Sequence, residues 1–328
     1  MRISQNAILD PFARELNELQ NRKFHEEMKL TTGREINALS DGPKEIVHIK
    51  GLTDIINRNE IYMKTMDLAL NEIKNTEERL DDIADKLNEI RQLAIDGAST
   101  SNIHSIGVFV RGLIEDLVKD ANLDFNGKYL FAGTLTKKDP ASNESPNANN
   151  YPFELLYEDP TVENPSGMRV IFKGNNEDRR INKDHVSTEV INTKAEDIFG
   201  ENGTELFSAA IDMYNLFTYH QDGTERGTND PLAVEEMPIL NKSQKKLGEI
   251  AEQVYRANSW NGAKINRINA LTEQIMNENV NYKQYKSVEF DADIARTTLE
   301  FKKNDTALQY ALQVGSRIIQ NSLFDFLR

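Results

Sequence analysis

The sequence predicts a mainly α-helical protein with a β-containing insert: a long, coiled-coil-like bundle built from both halves of the chain, with terminal helices that stay flexible in the monomer. Two long helical repeats, one on each side of a middle segment of different composition, predict this. The composition agrees, since only 38% of the 328 residues are hydrophobic and 28% are charged, with a mean hydropathy of −0.59. Such a chain suits long, thin elements better than one thick core.

At the N-terminus, Leu9, Phe12, Leu16 and Leu19 recur at helical spacing and form an amphipathic stripe. From about residue 44 to Asp96 the pattern is helical. From residue 66 it becomes a heptad: Met66, Ala69, Ile73, Thr76, Leu80, Ile83, Leu87, Ile90 and Ala94 alternate steps of three and four. Gly97 is the stop. At about 1.5 Å per residue the rod is roughly 80 Å long. In the next stretch, IGVFVRGLIEDLVKDANLD, Gly107 and Gly112 weaken the helix, but its later half keeps the pattern.

Residues 134–235 differ. They hold six of the nine prolines and 19 Asp/Glu against 9 Lys/Arg, a net −10 of the chain's −14. YPFELLYE and MRVIFKG read as strands around the turn-rich DPTVENPSG, and HVSTEVINTKAEDIF adds a third strand-like pattern. We expect an outward-facing β-containing insert with KKDPASNESPNANN as its flexible lead-in. A second rod runs from about Gln244 to Tyr285, with Leu247, Ile250, Val254, Ala257, Ile265, Ile268, Thr272, Ile275, Asn279 and Tyr282 on one side. Each stripe buries only one seam, so three or four helices should pack together.

At the C-terminus, Leu308, Leu312, Gly315, Ile319, Leu323 and Phe326 form another stripe, and IIQNSLFDFLR ends the chain with Phe324 among its large apolar residues. Burying each such side chain stabilises by roughly 1.5 to 3 kcal/mol, while ordering each residue costs about 1 to 2 kcal/mol. The tail needs a partner. The expected division is therefore terminal helices at 1–43 and 295–328, a helical bundle at 44–133 and 236–294, and an insert at 134–235.

Several function classes find no support. A charge of −14 disfavours nucleic acid, and no apolar run reaches the roughly 18 residues of a membrane span. The acidic faces of the rods argue against membrane-surface binding. There is no cysteine, and the five histidines are scattered singly. No phosphate loop, nucleophile elbow or dinucleotide fingerprint appears, so we expect no enzyme, cofactor or metal. Asp291 and Asp293 lack the pattern of a calcium loop and suit the start of the C-terminal helix.

The stretch KLTTGREINALSDGP, Lys29 to Pro43, resembles the N-terminal signature of the bacterial flagellin superfamily. Its chemistry fits a helix broken at Gly33, with Ser40 or Asp41 capping the next helix and Pro43 in its first turn. MRIS and NGKYLFAGT (126–134) are similar to the superfamily's hook-filament junction branch, the third hook-associated proteins. ALQVGSRIIQNSLFDFLR resembles its C-terminal helix, and VSTEVINTKAEDIFG its middle-domain strand ending in Phe-Gly.

This resemblance implies a structural role in the bacterial flagellum. Subunits would form a ring between the first hook-associated protein and flagellin, after type III export without a cleaved signal peptide. A cytosolic export chaperone would hold the C-terminal segment. The interaction residues would be Leu9, Phe12, Leu16, Leu19, Leu308, Leu312, Ile319, Leu323, Phe324 and Phe326. A flagellin filament subunit is the alternative.

Overall fold

The computed structural model describes residues 6–98, 103–136, 151–228 and 230–326, with side chains between 10 and 317. The opening MRIS and the lead-in KKDPASNESPNANN lie outside the described residues. In chain order the elements are α1 (Asn6–Thr32), α2 (Pro43–Gly97), α3 (Ile103–Ala121), β1 (Asp124–Phe125), β2 (Lys128–Tyr129), β3 (Phe153–Tyr157) and β4 (Met168–Phe172). There follow β5 (Arg180–Asn182), β6 (Thr188–Val190), α4 (Ala195–Phe199), α5 (Glu205–Thr218), α6 (Met237–Phe290) and α7 (Ile294–Phe326). The protein is mainly α-helical with a small strand content, as its periodicity predicts. Residues 61–274 form one compact unit, and 1–60 with 275–328 form another.

In the 61–274 unit the heptad places every one of its positions inside. Met66, Leu80, Ile83, Leu87, Ile90 and Ala94 are fully buried, and Ala69, Ile73 and Thr76 nearly so. α2 ends at Gly97, as expected. α6 runs antiparallel to α2: Thr272 lies beside Met66, Asn258 Nδ2 donates to Asp81 Oδ1 at 2.6 Å, and Asn88 Nδ2 donates to the Tyr255 hydroxyl at 2.7 Å. Leu247, Ile250, Val254, Ala257 and Ile268 complete the seam.

Asn261 is fully buried at a seam position that an apolar stripe passes over. Its neighbour there is a loop of the insert, because Thr193 Oγ1 donates to Asn261 Oδ1 at 2.7 Å and Lys264 Nζ donates to the Asn192 carbonyl at 2.7 Å. Burial holds the Lys264 ammonium below its ordinary pKa.

α3 is helical throughout, and Gly107 has a packing reason. A Cβ there would lie 2.5 Å from Thr218 Oγ1, so the glycine lets α3 approach α5 closely. α5 itself carries no helix in the sequence reading, yet Leu206, Phe207, Ala209, Ala210, Met213 and Phe217 are buried in the same core as α2, α3 and α6. It is apolar almost all round, so it lacks the one-sided period that marks an exposed helix.

Among the described residues the strands form three separate antiparallel pairs, β1–β2, β3–β4 and β5–β6. β3–β4 pairs Phe153 with Phe172 through Tyr157 with Met168, placing both predicted strands in register. Asn126 and Gly127, both at positive φ, make the two-residue turn of β1–β2. The stretch ending in Phe-Gly is corrected: β6 covers only Thr188–Val190, and Phe199-Gly200 closes the short helix α4. Glu196 and Asp197 in its first turn suit a helix N-terminus.

At the base of the insert, Phe153 contacts Phe172, Phe199 and Phe207 at 4.8, 4.9 and 5.6 Å between ring centroids, and Phe131 meets Phe199 edge-on at 5.5 Å. Two ion pairs tie the surrounding segments. Arg179 pairs with Glu72 of α2. Arg226, fully buried, donates to the Leu216 and Tyr219 carbonyls at the end of α5 and pairs with Glu236 just before α6.

Leu87→Asp should bury a charge in the seam and destabilise the 61–274 unit by more than about 3 kcal/mol, read by thermal melting; Glu89→Ala, on the exposed face, should be near neutral. Arg226→Met should destabilise by about 3 to 5 kcal/mol, because Glu236 would stay buried without its partner. In the β5–β6 turn, Asp184 accepts from the Ser187 hydroxyl and from the Val186 and Ser187 N–H groups, which hold its carboxyl down to about 2. Its folded pKa lies below the unfolded value, so these bonds persist above the ordinary carboxylate range and are lost as pH falls through about 2. NMR titration of the Val186 and Ser187 amides should show that midpoint.

Candidate assembly site at the terminal helices

Within the unit formed by 1–60 and 275–328, α1 lies antiparallel on α7. Phe12 sits over Gly315, where a Cβ would come within 2.6 Å of Phe12 Cζ. Further along, Lys23 Nζ bonds Asp305 Oδ1 at 2.6 Å and lies 5.6 Å from the centre of the Phe301 ring. This register makes a heptad seam on both helices. On α1 the half-buried positions Phe12, Leu16, Leu19, Lys23, Glu26 and Leu30 step by four and three. On α7, Thr297, Phe301, Asn304, Leu308, Ala311 and Gly315 do the same.

The seam is poor in large apolar groups. Thr297 and Asn304 are its buried polar members, and Lys23 and Glu26 place charge at two of its positions. α7 keeps a second set of large apolar side chains without cover among the described residues: Leu299, Tyr310 and Val314 are 66%, 65% and 52% exposed. These three lie close together around the helix and opposite Gly315 and Leu308. Phe24 of α1 is exposed as well.

The predicted interaction residues divide accordingly. Phe12, Leu16, Leu19 and Leu308 are half-buried in the α1–α7 seam. Leu312 stands beside the seam and is exposed. Leu9, Ile319, Leu323, Phe324 and Phe326 lie within the helical spans of α1 and α7, but their side chains are outside the described residues. Sequence reasoning missed Thr297, Phe301 and Asn304, whose four-three spacing continues the stripe upstream but whose polar members hide it.

Both helix ends follow from local chemistry. α1 stops at Gly33, at positive φ, whose N–H bonds the Lys29 carbonyl at 2.9 Å. Asp293 caps α7, accepting from Arg296 N–H at 3.1 Å. The expected cap on α2 is corrected: Asp41 turns back to accept from Asn37 and Ala38 N–H groups, which lower its pKa. The Gly42 carbonyl instead accepts the first helical bond, from Ile46. α2 also meets α6 in this unit, through Asn59 Nδ2 to Asn279 Oδ1 at 3.0 Å and His48 Nδ1 to Glu289 Oε2 at 2.8 Å.

Among the described residues, no group of three His, Asp or Glu side chains is placed to hold a metal, and no helix is long and apolar enough to cross a membrane.

A sequence model of the bacterial flagellin N-terminal helical region matches residues 3–136. No curated protein matches the chain. Among solved structures, one from Vibrio parahaemolyticus, assigned as a flagellar hook-associated protein, is 15% identical with a TM-score of 0.60, covering 76% of this chain and 99% of that one. Hook-associated protein-3 (HAP-3) of Legionella pneumophila is 12% identical with a TM-score of 0.55, covering 73% of this chain and 97% of that one. Xanthomonas campestris FlgL is 13% identical with a TM-score of 0.52, covering 71% and 97%. At these identities the likeness is one of fold.

Residues 3–136 are thus similar to the flagellin N-terminal helical region. More particularly, the fold is similar to that of the hook-associated proteins above.

Gly315→Leu should push Phe12 out of the seam and part α1 from α7. Amide exchange should quicken across both helices while the 61–274 unit is unchanged, and Phe12→Ala in the same chain should recover part of the protection.

Proposed function

We propose that this protein is a structural subunit of the bacterial flagellum that joins the hook to the flagellin filament. It polymerises through α1 and α7, contacting the first hook-associated protein, flagellin and copies of itself in a ring. The terminal segments 1–43 and 295–328 serve assembly and export, residues 44–133 and 236–294 the bundle, and 134–235 the outward insert. Before assembly the chain leaves the cell by the type III route, with a cytosolic chaperone on its C-terminal segment. It carries out no catalysis and needs no cofactor.

The observation that carries this reading is the terminal helix pair. Its seam consumes one face of α7 and leaves Leu299, Tyr310 and Val314 uncovered, as a subunit awaiting neighbours requires. The sharing of fold with hook-associated proteins at nearly their full length supports the same role.

In cells lacking the gene, hooks should persist while flagellin escapes to the medium, and purified protein added from outside should restore filaments. Changing Leu299, Tyr310 and Val314 together to Ser should leave the folded monomer's melting unchanged, because all three are exposed. It should also abolish restoration. Full restoration by that variant would contradict the proposed surface.

A further inference from the structure

A cavity of about 310 Å³ opens in the 61–274 unit between the second half of α5, the first turns of α6 and the β3–β4 loop. Asn215 of α5 lines it, held by a neighbouring amide. Asn164 Nδ2 donates to the Met168 carbonyl at 2.9 Å, which leaves Asn164 Oδ1 to accept from Asn215 Nδ2 at 3.0 Å. That bond fixes the Asn215 carboxamide and leaves its Oδ1 over. The oxygen is buried without a partner, on a residue only 8% exposed. A buried acceptor left unmet is costly, and a donor entering the cavity would meet it.

Around Asn215, hydrogen-bonding capacity of both kinds is open. Asp212 lines the cavity and makes no hydrogen bond or ion pair among the described residues. Burial raises the pKa of its carboxyl, against the pull of Lys246 and Lys242. Lys242 is likewise unbonded, and Lys246 reaches Glu205 only at 3.7 Å. Glu163 adds a further carboxylate, whereas the buried Glu236 is already committed to Arg226 and to the Ala233 N–H. Acceptors and donors are therefore interleaved, not gathered at opposite ends. Leu216, Ile239 and Pro165 add apolar wall.

We propose that this cavity is a binding site for a neutral saccharide of one or two sugar units. A sugar hydroxyl donates and accepts at once. One hydroxyl can thus donate to Asp212 while accepting from Lys242 or Lys246, and another can donate to Asn215 Oδ1. The C–H faces of the ring suit Leu216, Ile239 and Pro165. A zwitterion such as a free amino acid needs a cationic and an anionic end to its site, and the closeness of Asp212 to both lysines offers neither. The volume lies at the low end of the roughly 300–1,000 Å³ of small-molecule sites, which suits a short sugar over a long chain. No residue of α1 or α7 takes part, so the site stands apart from the assembly role.

The test titrates the isotope-labelled full chain with glucose, galactose, N-acetylglucosamine, lactose and maltose, and separately with free glycine, followed by NMR. We expect at least one sugar to shift the Asn215 side-chain amide and the Ser243 and Lys246 backbone amides saturably, with glycine silent. Asp212→Ala and Lys242→Met should each weaken that binding by about tenfold or more. Both should leave the melting temperature unchanged, since neither group is bonded in the free protein. Lys245→Met, outside the cavity, should leave binding unaltered. Absence of a saturable shift with every one of these sugars overturns the proposal. Binding undiminished in both Asp212→Ala and Lys242→Met overturns it too, because the sugar would then sit elsewhere. A response to glycine alone would make the site one for zwitterions and equally contradict the assignment.

Discussion

Everything in this chain depends on apolar seams only one heptad face wide. A helix that buries so little is marginal alone, whatever its length, and becomes stable only against a partner with a matching stripe. Part of the cover for α2 comes from α3, next in sequence, through the shared core and the Lys86–Asp120 ion pair, but the long seams need long partners. The partners come from the other half of the chain: α6 for α2 and α7 for α1. A fold in which α1 and α7 lie side by side follows directly.

The seams are also polar in places, which ties packing to assembly. Asn59 bonds Asn279, Thr193 bonds Asn261, and Thr76, Thr297 and Asn304 are buried at seam positions. Such groups fix which turn of one helix faces which turn of the other, since a slipped register would bury them without partners. They also lower stability: one amide nitrogen each of Asn261 and Asn279 has no partner. In α7 the same substitution of polar for apolar residues narrows the contact with α1. The apolar side chains of α7 then gather on its opposite face, where Leu299, Tyr310 and Val314 are presented outward.

Much of this was legible in the sequence because a single period runs through the long helices. All nine heptad residues from Met66 to Ala94 are buried, and Gly97 ends the helix. The strands at YPFELLYE and MRVIFKG also follow from alternation bounded by turn residues. What escaped did so for definite reasons. α5 is apolar on nearly all sides, so its pattern does not separate helix from buried strand. Asn261 broke a stripe defined by apolar residues alone. Asp41 was read as a cap for the helix ahead, but its carboxylate found nearer donors behind it. The segments that carry the resemblance, NGKYLFAGT and the one ending in Phe199-Gly200, proved to be joined in space, with Phe131 against Phe199 in the aromatic core. At the candidate site, Phe12, Leu16, Leu19 and Leu308 were visible as seam residues, whereas the outward face of α7 was not, because its members are separated by charged and small residues.

The central claim is that α7 uses one face for α1 and offers the opposite face to neighbouring subunits. A photo-reactive side chain at position 310, in place of Tyr310, tests it most directly when activated in intact flagella. The account predicts adducts to other flagellar subunits from position 310, and intrachain adducts to α1 from position 308. Intrachain adducts from both positions, with none to a neighbour, would contradict it.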